Sequence, residues 1–382
     1  MYKYVERLVV ILGESCNLQC KYCLQHDIRN SEPKKEISDD VLRFISKMID
    51  AHKESPLKIL LYGGEPLVYW DTVKELVGKL PKDRKKVNYA LITNGKLLDE
   101  EKVAFMNENE VHMSVSWDGD GSKYTRGYDA VKDKHDLLIK IKHLGISSVL
   151  SSKAYPYDLF LSYRKFDDEY SKMNNGRHIP INYVLMETVC DNCKELLYDI
   201  DPRKMKRQIH EVLKTAAADK RAAHIYSTFM PRIISMEREG YLTYHGQCSS
   251  SNCPLEINLT LDGKLWFCHN ERTRLLGTIE DFDTDPFKVI QTAYMYDKTR
   301  EIYEKKCSKC EVYRFCCGGC PLTIGSKDKE RSCEIVRAYY RPFLHFNTRN
   351  KEEEDAIYEQ VVYDDVGMEK ELEQEDGTKE EH

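Results

Sequence analysis

Three cysteines, Cys16, Cys20 and Cys23, stand near the N-terminus in the pattern C-x3-C-x2-C. Thiolates at this spacing, on one tight turn, suit three corners of a cubane [4Fe–4S] cluster. A cubane has four irons, so one keeps an open position, by the logic that leaves a catalytic zinc one protein ligand short. An open iron can chelate a substrate or a cofactor. A zinc site is the competing reading, but zinc usually takes four ligands from paired C-x2-C units, and no fourth is near in sequence. A second constellation follows much later: Cys248, Cys253 and Cys268, then Cys307-x2-Cys310-x5-Cys316-x3-Cys320, and Cys333. Cys190, Cys193 and Cys317 stand outside both groups. Cys190-x2-Cys193 reads as a surface thiol pair, a zinc half-site or a substrate-facing pair. The N-terminus has no signal-peptide pattern, which points to the cytoplasm. In that reducing compartment 14 Cys argue for metal or redox chemistry rather than seven disulfides.

The segment from Cys16 to Cys23, with Tyr22 just before the last Cys, resembles the signature of radical S-adenosylmethionine (SAM) enzymes. Gly63-Gly64-Glu65-Pro66 resembles the GGEP motif of that family. Two glycines let backbone approach a ligand without Cβ interference. The carbonyls there and the Glu65 side chain can accept hydrogen bonds from an ammonium group. The resemblance implies further parts of a SAM cradle. Thr93 belongs to Thr93-Asn94-Gly95, and Ser116 and Asp118 to an S-x-D-G segment that would reach the ribose hydroxyls. Arg126 would meet the SAM carboxylate by a charge-assisted contact, and Tyr22 would pack near adenine or in the core. Thr-Asn-Gly and Asp-Gly are also ordinary turn sequences.

The later cysteines resemble the SPASM domain that follows the barrel in a large subset of this family. That resemblance implies two auxiliary [4Fe–4S] clusters. One would use Cys248, Cys253, Cys268 and Cys320; the other Cys307, Cys310, Cys316 and Cys333. Fully ligated clusters suit electron transfer and structure. The implied cofactors are therefore three [4Fe–4S] clusters and SAM.

The implied chemistry is reductive cleavage of SAM to a 5′-deoxyadenosyl radical, which removes a hydrogen atom from a peptide or protein. The layout is similar to that of anaerobic sulfatase-maturating enzymes, which oxidise Cys or Ser to formylglycine. Their proposed base is an Asp directly after the third auxiliary Cys. Here His269 holds that position, and a His can take a proton near neutral pH. The departure favours a ribosomally made peptide that receives a thioether or carbon–carbon cross-link, with formylglycine formation as the alternative. A non-catalytic iron–sulfur electron-transfer protein is the third reading; it has no need of an open iron beside GGEP. The implied partners are the peptide or protein substrate and an electron donor such as a flavodoxin or ferredoxin. The first strand begins near Leu8, which leaves no room for a leader-binding domain ahead of it. Leader recognition would fall to a separate protein or to the barrel surface.

These residues need a scaffold, and 382 residues suffice for about two to three domains. Strand candidates are Leu8–Leu12, Lys58–Tyr62, Asn88–Ile92, His112–Trp117, Ser148–Ser152 and Ile181–Leu185, short apolar runs suited to buried parallel strands. Helix candidates lie between and after them: Asp39–Lys53, Thr72–Lys79, Asp99–Asn107, Ala130–Leu144, Phe160–Met173 and Pro202–Ala217. Six βα units predict an α/β fold, a partial (β/α)6 TIM-like barrel with reactive groups at the strand C-terminal ends. After about residue 240 helical periodicity fades, and a loop-rich SPASM region held by metal is expected. The expected domains are 1–220 for the barrel, 221–240 for a helical bridge around Thr228–Glu239, 241–345 for SPASM and 346–382 for a tail. Residues 350–382 carry 14 acidic and 3 basic side chains, against a whole-chain charge of −6, and read as a flexible end. The remaining body is mildly basic, without a Lys/Arg block interleaved with aromatics, so nucleic-acid binding is not indicated. No apolar run approaches the ~18 residues of a membrane span.

Overall fold

The computed structural model describes residues 2–28, 36–186, 194–216, 218–219, 221–222, 256–296, 307–316, 318–320 and 328–345. Six parallel strands form its centre: β1 (Arg7–Ile11), β2 (Leu57–Tyr62), β3 (Val87–Thr93), β4 (His112–Ser116), β5 (Leu144–Leu150) and β6 (Ile181–Leu185). They pair in sequence order, as right-handed βα units require. Leu8, Val10 and Leu12 belong to the main core, whereas Val9 and Ile11 point to the opposite face. The register carries that opposite face onward through Leu60, Ala90, Ser114, Gly145 and Ser147. Its small side chains are Ser114 and Ser116 on β4 and Gly145 and Ser147 on β5, bordered by Ile92, His112 and Val149.

Helices cover the core face. In α1 (Asp39–Ala51) the buried positions Val41, Phe44, Ile45, Met48 and Ile49 recur at helical spacing. Ser38 caps it by accepting a hydrogen bond from the Val41 N–H, and Asp39 and Asp40 complement the dipole of the first turn. Further helices are α2 (Trp70–Lys79), α3 (Glu100–Glu108), α4 (Pro156–Met173) and α5 (Pro202–Ala216).

Two expectations need correction. A long helix over Ala130–Leu144 is not formed; short helical turns at Ala130–Asp133 and His135–Leu138 replace it, and β5 already starts at Leu144. Leu144, Ile146 and Leu150 alternate inward, so the strand lies earlier than Ser148–Ser152. The region after residue 240 is also not simply loop-rich. β7 (Glu256–Thr260) pairs parallel with β1, and β8 (Lys264–Trp266) and β9 (Leu275–Thr278) follow antiparallel. Ile257, Leu259, Leu265 and Phe267 join the main core with α6 (Ile279–Thr284) and α7 (Pro286–Tyr296). The sheet thus has nine strands among the described residues, in the order β6-β5-β4-β3-β2-β1-β7-β8-β9. Residues 223–240 of the expected bridge and the acidic tail lie outside the described residues, as do Cys190, Cys193, Cys248, Cys253 and Cys317.

A second core joins Tyr22, Leu150, Tyr155 and Leu185 to α5 and to α8 (Lys329–His345) through Ile335, Val336, Tyr339 and Tyr340. Cys316 is buried in it, and Cys20 and Cys310 pack against it. No described helix is long and apolar enough to cross a membrane.

Candidate active site

Parallel strands end together, so the loops that follow them meet at one end of the sheet. Cys16, Cys20 and Cys23 follow β1, Gly63 to Glu65 follow β2, Thr93 ends β3, Ser116 ends β4, and Asp118 and Arg126 lie just beyond. The first two loops are zipped by backbone. Gly64 N–H donates to Gly13 O at 2.9 Å and Glu65 N–H to Ser15 O at 3.0 Å. A Cβ on Gly63 would stand 2.6 Å from Gly13 O; one on Gly64 would stand 2.5 Å from Ser15 O and collide with Glu14 O. The glycines thus allow the GGEP loop to lie directly on the cysteine loop, a closeness the sequence reading had assigned to a ligand.

Glu65 is likewise turned inward. Its Oε1 accepts from Leu67 N–H at 3.0 Å and Thr93 Oγ1 at 2.5 Å, and Oε2 from Asn94 N–H at 2.7 Å. Burial raises its carboxyl pKa, with the three donors opposing. In this geometry Glu65 and Thr93 tie the ends of β2 and β3 together. Asn94, read from sequence only as part of a turn, directs its Nδ2 to Asn17 Oδ1 at 2.8 Å and to Cys16 Sγ at 3.9 Å. The Leu18 N–H stands 3.5 Å from the same sulfur.

Asp118 and Arg126 were expected to face the ribose and the carboxylate of SAM. Instead they pair with each other: Arg126 Nε and Nη2 each lie 3.0 Å from an Asp118 oxygen. Asp118 also accepts from Thr125 Oγ1 at 2.6 Å, Val149 N–H at 2.9 Å and the Tyr22 hydroxyl. Both are buried, and the Tyr22 ring lies 5.3 Å from the Arg126 guanidinium. Burial works against the Arg126 charge, but Asp118 overcomes it and holds the pKa above the ordinary value. The pair anchors Tyr22, hence the cysteine loop, to the ends of β4 and β5. Ser116 stays half-buried on the small-residue face, in register with Ser147.

His269 follows Cys268 beyond β8. Its ring packs edge-on against Tyr62 at 4.6 Å between centroids, and its carbonyl accepts from Gln25 Nε2 at 3.0 Å. Its Nδ1 lies 3.2 Å from Asn258 Oδ1 and 3.7 Å from Glu256 Oε1. Asn258 Nδ2 faces two carbonyls, Trp266 O at 3.3 Å and Phe267 O at 3.2 Å, which fixes Oδ1 as an acceptor. His269 Nδ1 then donates to that oxygen, which leaves Nε2 outside this contact. Arg272 adds another tie to the cysteine loop, with Nε 2.8 Å from Glu14 Oε1. Tyr62, Gln25, Asn258 and Arg272 escaped the sequence reading; of these, only Tyr62 had a signal, directly preceding Gly63.

The cysteine donors suit iron–sulfur chemistry. The Cys20 thiol is pushed up to about 11 chiefly by burial, with Arg126 opposing and the neighbouring Cys23 and Cys16 adding to the rise. Three sulfurs that sense one another, with N–H groups aimed at Cys16, match what a cubane asks of its loop. Among the described residues no three His, Cys, Asp or Glu groups converge to hold a single metal ion. A cubane needs no such point, because its irons occupy separate corners. Among the later cysteines, Cys310 N–H donates to Cys307 O and Gly319 N–H to Cys316 O. Gly318 and Gly319 take positive φ (90° and 82°) there, which turns the chain back toward Cys320. Cys333 lies on α8.

Residues 10–151, which hold the strand-end cysteine loop and the double-glycine loop clasping it, match the Radical SAM superfamily. That family implies a [4Fe–4S] cluster and SAM. The chain is 23% identical over 368 residues to the cysteine-type anaerobic sulfatase-maturating enzyme of Clostridium perfringens (strain 13 / Type A), covering 89% of this chain and 95% of that one. It is 26% identical over 174 residues to the radical SAM cyclopropyl synthase TigE of Paramaledivibacter caminithermalis, 40% of this chain but only 37% of TigE. Among solved structures, native anSMEcpe with bound AdoMet and Cp18Cys peptide superposes with a TM-score of 0.61 at 20% identity, covering 88% of this chain and 97% of that one. The fold is therefore the mixed α/β partial barrel expected of this family.

Proposed function

We propose that this chain is a radical SAM enzyme that removes a hydrogen atom from a peptide or protein side chain, most simply a ribosomally made peptide receiving a thioether or carbon–carbon cross-link. The observation that carries the reading is the cysteine loop after β1 clasped by Gly64 and Glu65. When bound, a cluster on Cys16, Cys20 and Cys23 would supply the electron that cleaves SAM to a 5′-deoxyadenosyl radical. The protein's part is placement. Asp118, Arg126 and Tyr22 hold the loop, Glu65 and Thr93 hold the strand ends, and Ser114, Ser116, Gly145 and Ser147 on β4 and β5 leave room for a substrate segment. His269 Nε2, freed by the Asn258 contact, is the candidate proton acceptor. Auxiliary clusters on Cys248, Cys253, Cys268 and Cys320, and on Cys307, Cys310, Cys316 and Cys333, belong to the same proposal. So do an electron donor and the domain limits given above.

A second reading, oxidation of a Cys or Ser to formylglycine, is favoured by the near end-to-end match to a sulfatase-maturating enzyme. Oxygen-free protein reconstituted with iron and sulfide, given SAM and dithionite, tests the core of the proposal. The parent forms 5′-deoxyadenosine and a Cys16→Ala, Cys20→Ala, Cys23→Ala variant does not; equal yields from both would refute it. Mass spectrometry then separates the two readings. A Cys-rich peptide that loses two hydrogens supports cross-linking, and a hydrazine-trappable aldehyde on a sulfatase-derived peptide supports the other.

A further inference from the structure

Lys21 sits between Cys20 and Tyr22, yet its side chain faces solvent. Its Nζ lies 3.5 Å from the centroid of the Tyr124 ring, and Lys153 Nζ approaches the same ring at 5.2 Å. Tyr124 is 45% exposed, and Lys123 beside it is exposed as well. Three loops supply these groups, and backbone contacts fix them together. Lys21 N–H donates to Thr125 O at 2.9 Å. Gly121 lies so close to Lys153 that a Cβ on it would collide with the Lys153 carbonyl. The two ammonium groups gain a cation–π attraction on one ring, but they repel each other. Neither has a carboxylate partner among the described residues. Asp120, exposed on the same loop, is the opposing charge in the segment and leaves three lysines in excess of one acid. An anionic surface laid on the patch would relieve the repulsion.

The patch also has an inward connection. Behind Tyr124 come Thr125 and Arg126, then Asp118 and Tyr22, a continuous hydrogen-bonded and stacked group that ends beside Cys20. Resting on the radical SAM reading above, we propose that Lys21, Lys123, Tyr124 and Lys153 form the docking surface for an acidic, one-electron carrier protein. The reduced carrier gives up one electron and is itself oxidised by one. The electron enters the centre held by Cys16, Cys20 and Cys23, and no bond is made or broken in that transfer. An acidic substrate segment would satisfy the same charges, but the patch abuts the cluster-bearing loop and is tied to it by the Lys21 to Thr125 backbone bond, as a short electron path requires.

The experiment uses the reconstituted full chain with flavodoxin as the probe, in its hydroquinone form for turnover and its oxidised form for binding by flavin fluorescence. Lys21→Glu, Lys153→Glu and the double variant are compared with Lys153→Arg. The double variant should bind flavodoxin about tenfold more weakly at low ionic strength and lose most of the parent's salt dependence. Lys153→Arg should match the parent, and dithionite-driven 5′-deoxyadenosine formation should stay within about twofold in every variant, since a small reductant needs no docking face. Unchanged flavodoxin affinity in the double variant overturns the docking surface. So does an equal loss with dithionite, or a raised KM for peptide alone. Absence of dithionite-driven chemistry in the parent overturns instead the radical SAM reading beneath it.

Discussion

Replacing Glu65 with Gln separates a carboxylate that holds the scaffold from one that holds a ligand. The native carboxylate is 2% exposed and accepts three hydrogen bonds, from Leu67 N–H, Thr93 Oγ1 and Asn94 N–H. A glutamine offers a single oxygen. With that oxygen toward Leu67 and Thr93, its NH2 faces the Asn94 N–H, and two buried donors oppose each other. Water cannot reach either of them. Leaving a buried donor unsatisfied costs about 1–3 kcal/mol, so the pair together should cost about 3 kcal/mol or more. At roughly 2–4 °C per kcal/mol in a domain of this size, the melting temperature should fall by about 6 °C or more. The shift should appear in protein without SAM, measured by circular dichroism on oxygen-free samples. Glu65→Asp, one methylene short, should fall between parent and Gln. An unchanged melting temperature in Glu65→Gln, together with weakened SAM binding in equilibrium dialysis, would refute the scaffold role.

Gly64→Ala should push the GGEP loop off the cysteine loop, at a cost of about 1–3 kcal/mol, and lower the iron bound after reconstitution, read by colorimetric iron assay. Asp118→Asn leaves the buried Arg126 without its counter-charge and should destabilise by about 3–5 kcal/mol in urea unfolding. Asp219, beyond α5, is held below the usual carboxylate value chiefly by the Arg221 guanidinium, which also reaches Asp167 and Asp168 on α4. The stability this contributes is present above the unfolded value of about 3.9 and is lost as pH falls through the lower folded value. Asp219→Asn should therefore flatten the acid limb of a melting-temperature profile below about pH 4 and leave the neutral region lower.

The parts of the fold that could be read from sequence were those with one dominant signal. Ile181–Leu185 and the cap at Ser38 emerge as expected, because an apolar run and an N-cap act locally. β5 was displaced because Leu144 was given to the helix and the strand was started at Ser148, whereas Gly145 and Ser147 are strand residues paired with Ser114 and Ser116. The β7–β8 hairpin had a signal that went unused. Asp262-Gly263 sits between alternating apolar residues, a strong turn sequence, but the segment was expected to be loop-rich. At the site, residue types were legible and their partners were not. Glu65, Asp118 and Arg126 invite a ligand on chemistry alone. Only the tertiary fold shows that Thr93, Asn94 and Tyr22 reach them first.

The pairing of β7 with β1 has a consequence for how the chain is made. β1 emerges first from the ribosome, but one of its two ladders is completed by Glu256–Thr260, some two-thirds of the chain later. Until then β1 is an open edge, carrying the Cys16 loop at its end, able to pair with any strand that comes near. Such distant pairing folds slowly and leaves partly made chains prone to association. The His269 and Arg272 ties to Gln25 and Glu14 arrive with the same late segment. Assembly of the thiol loop into its final surroundings thus waits for the last third of the chain, and a truncated chain ending before residue 256 should expose the very strand that carries its chemistry.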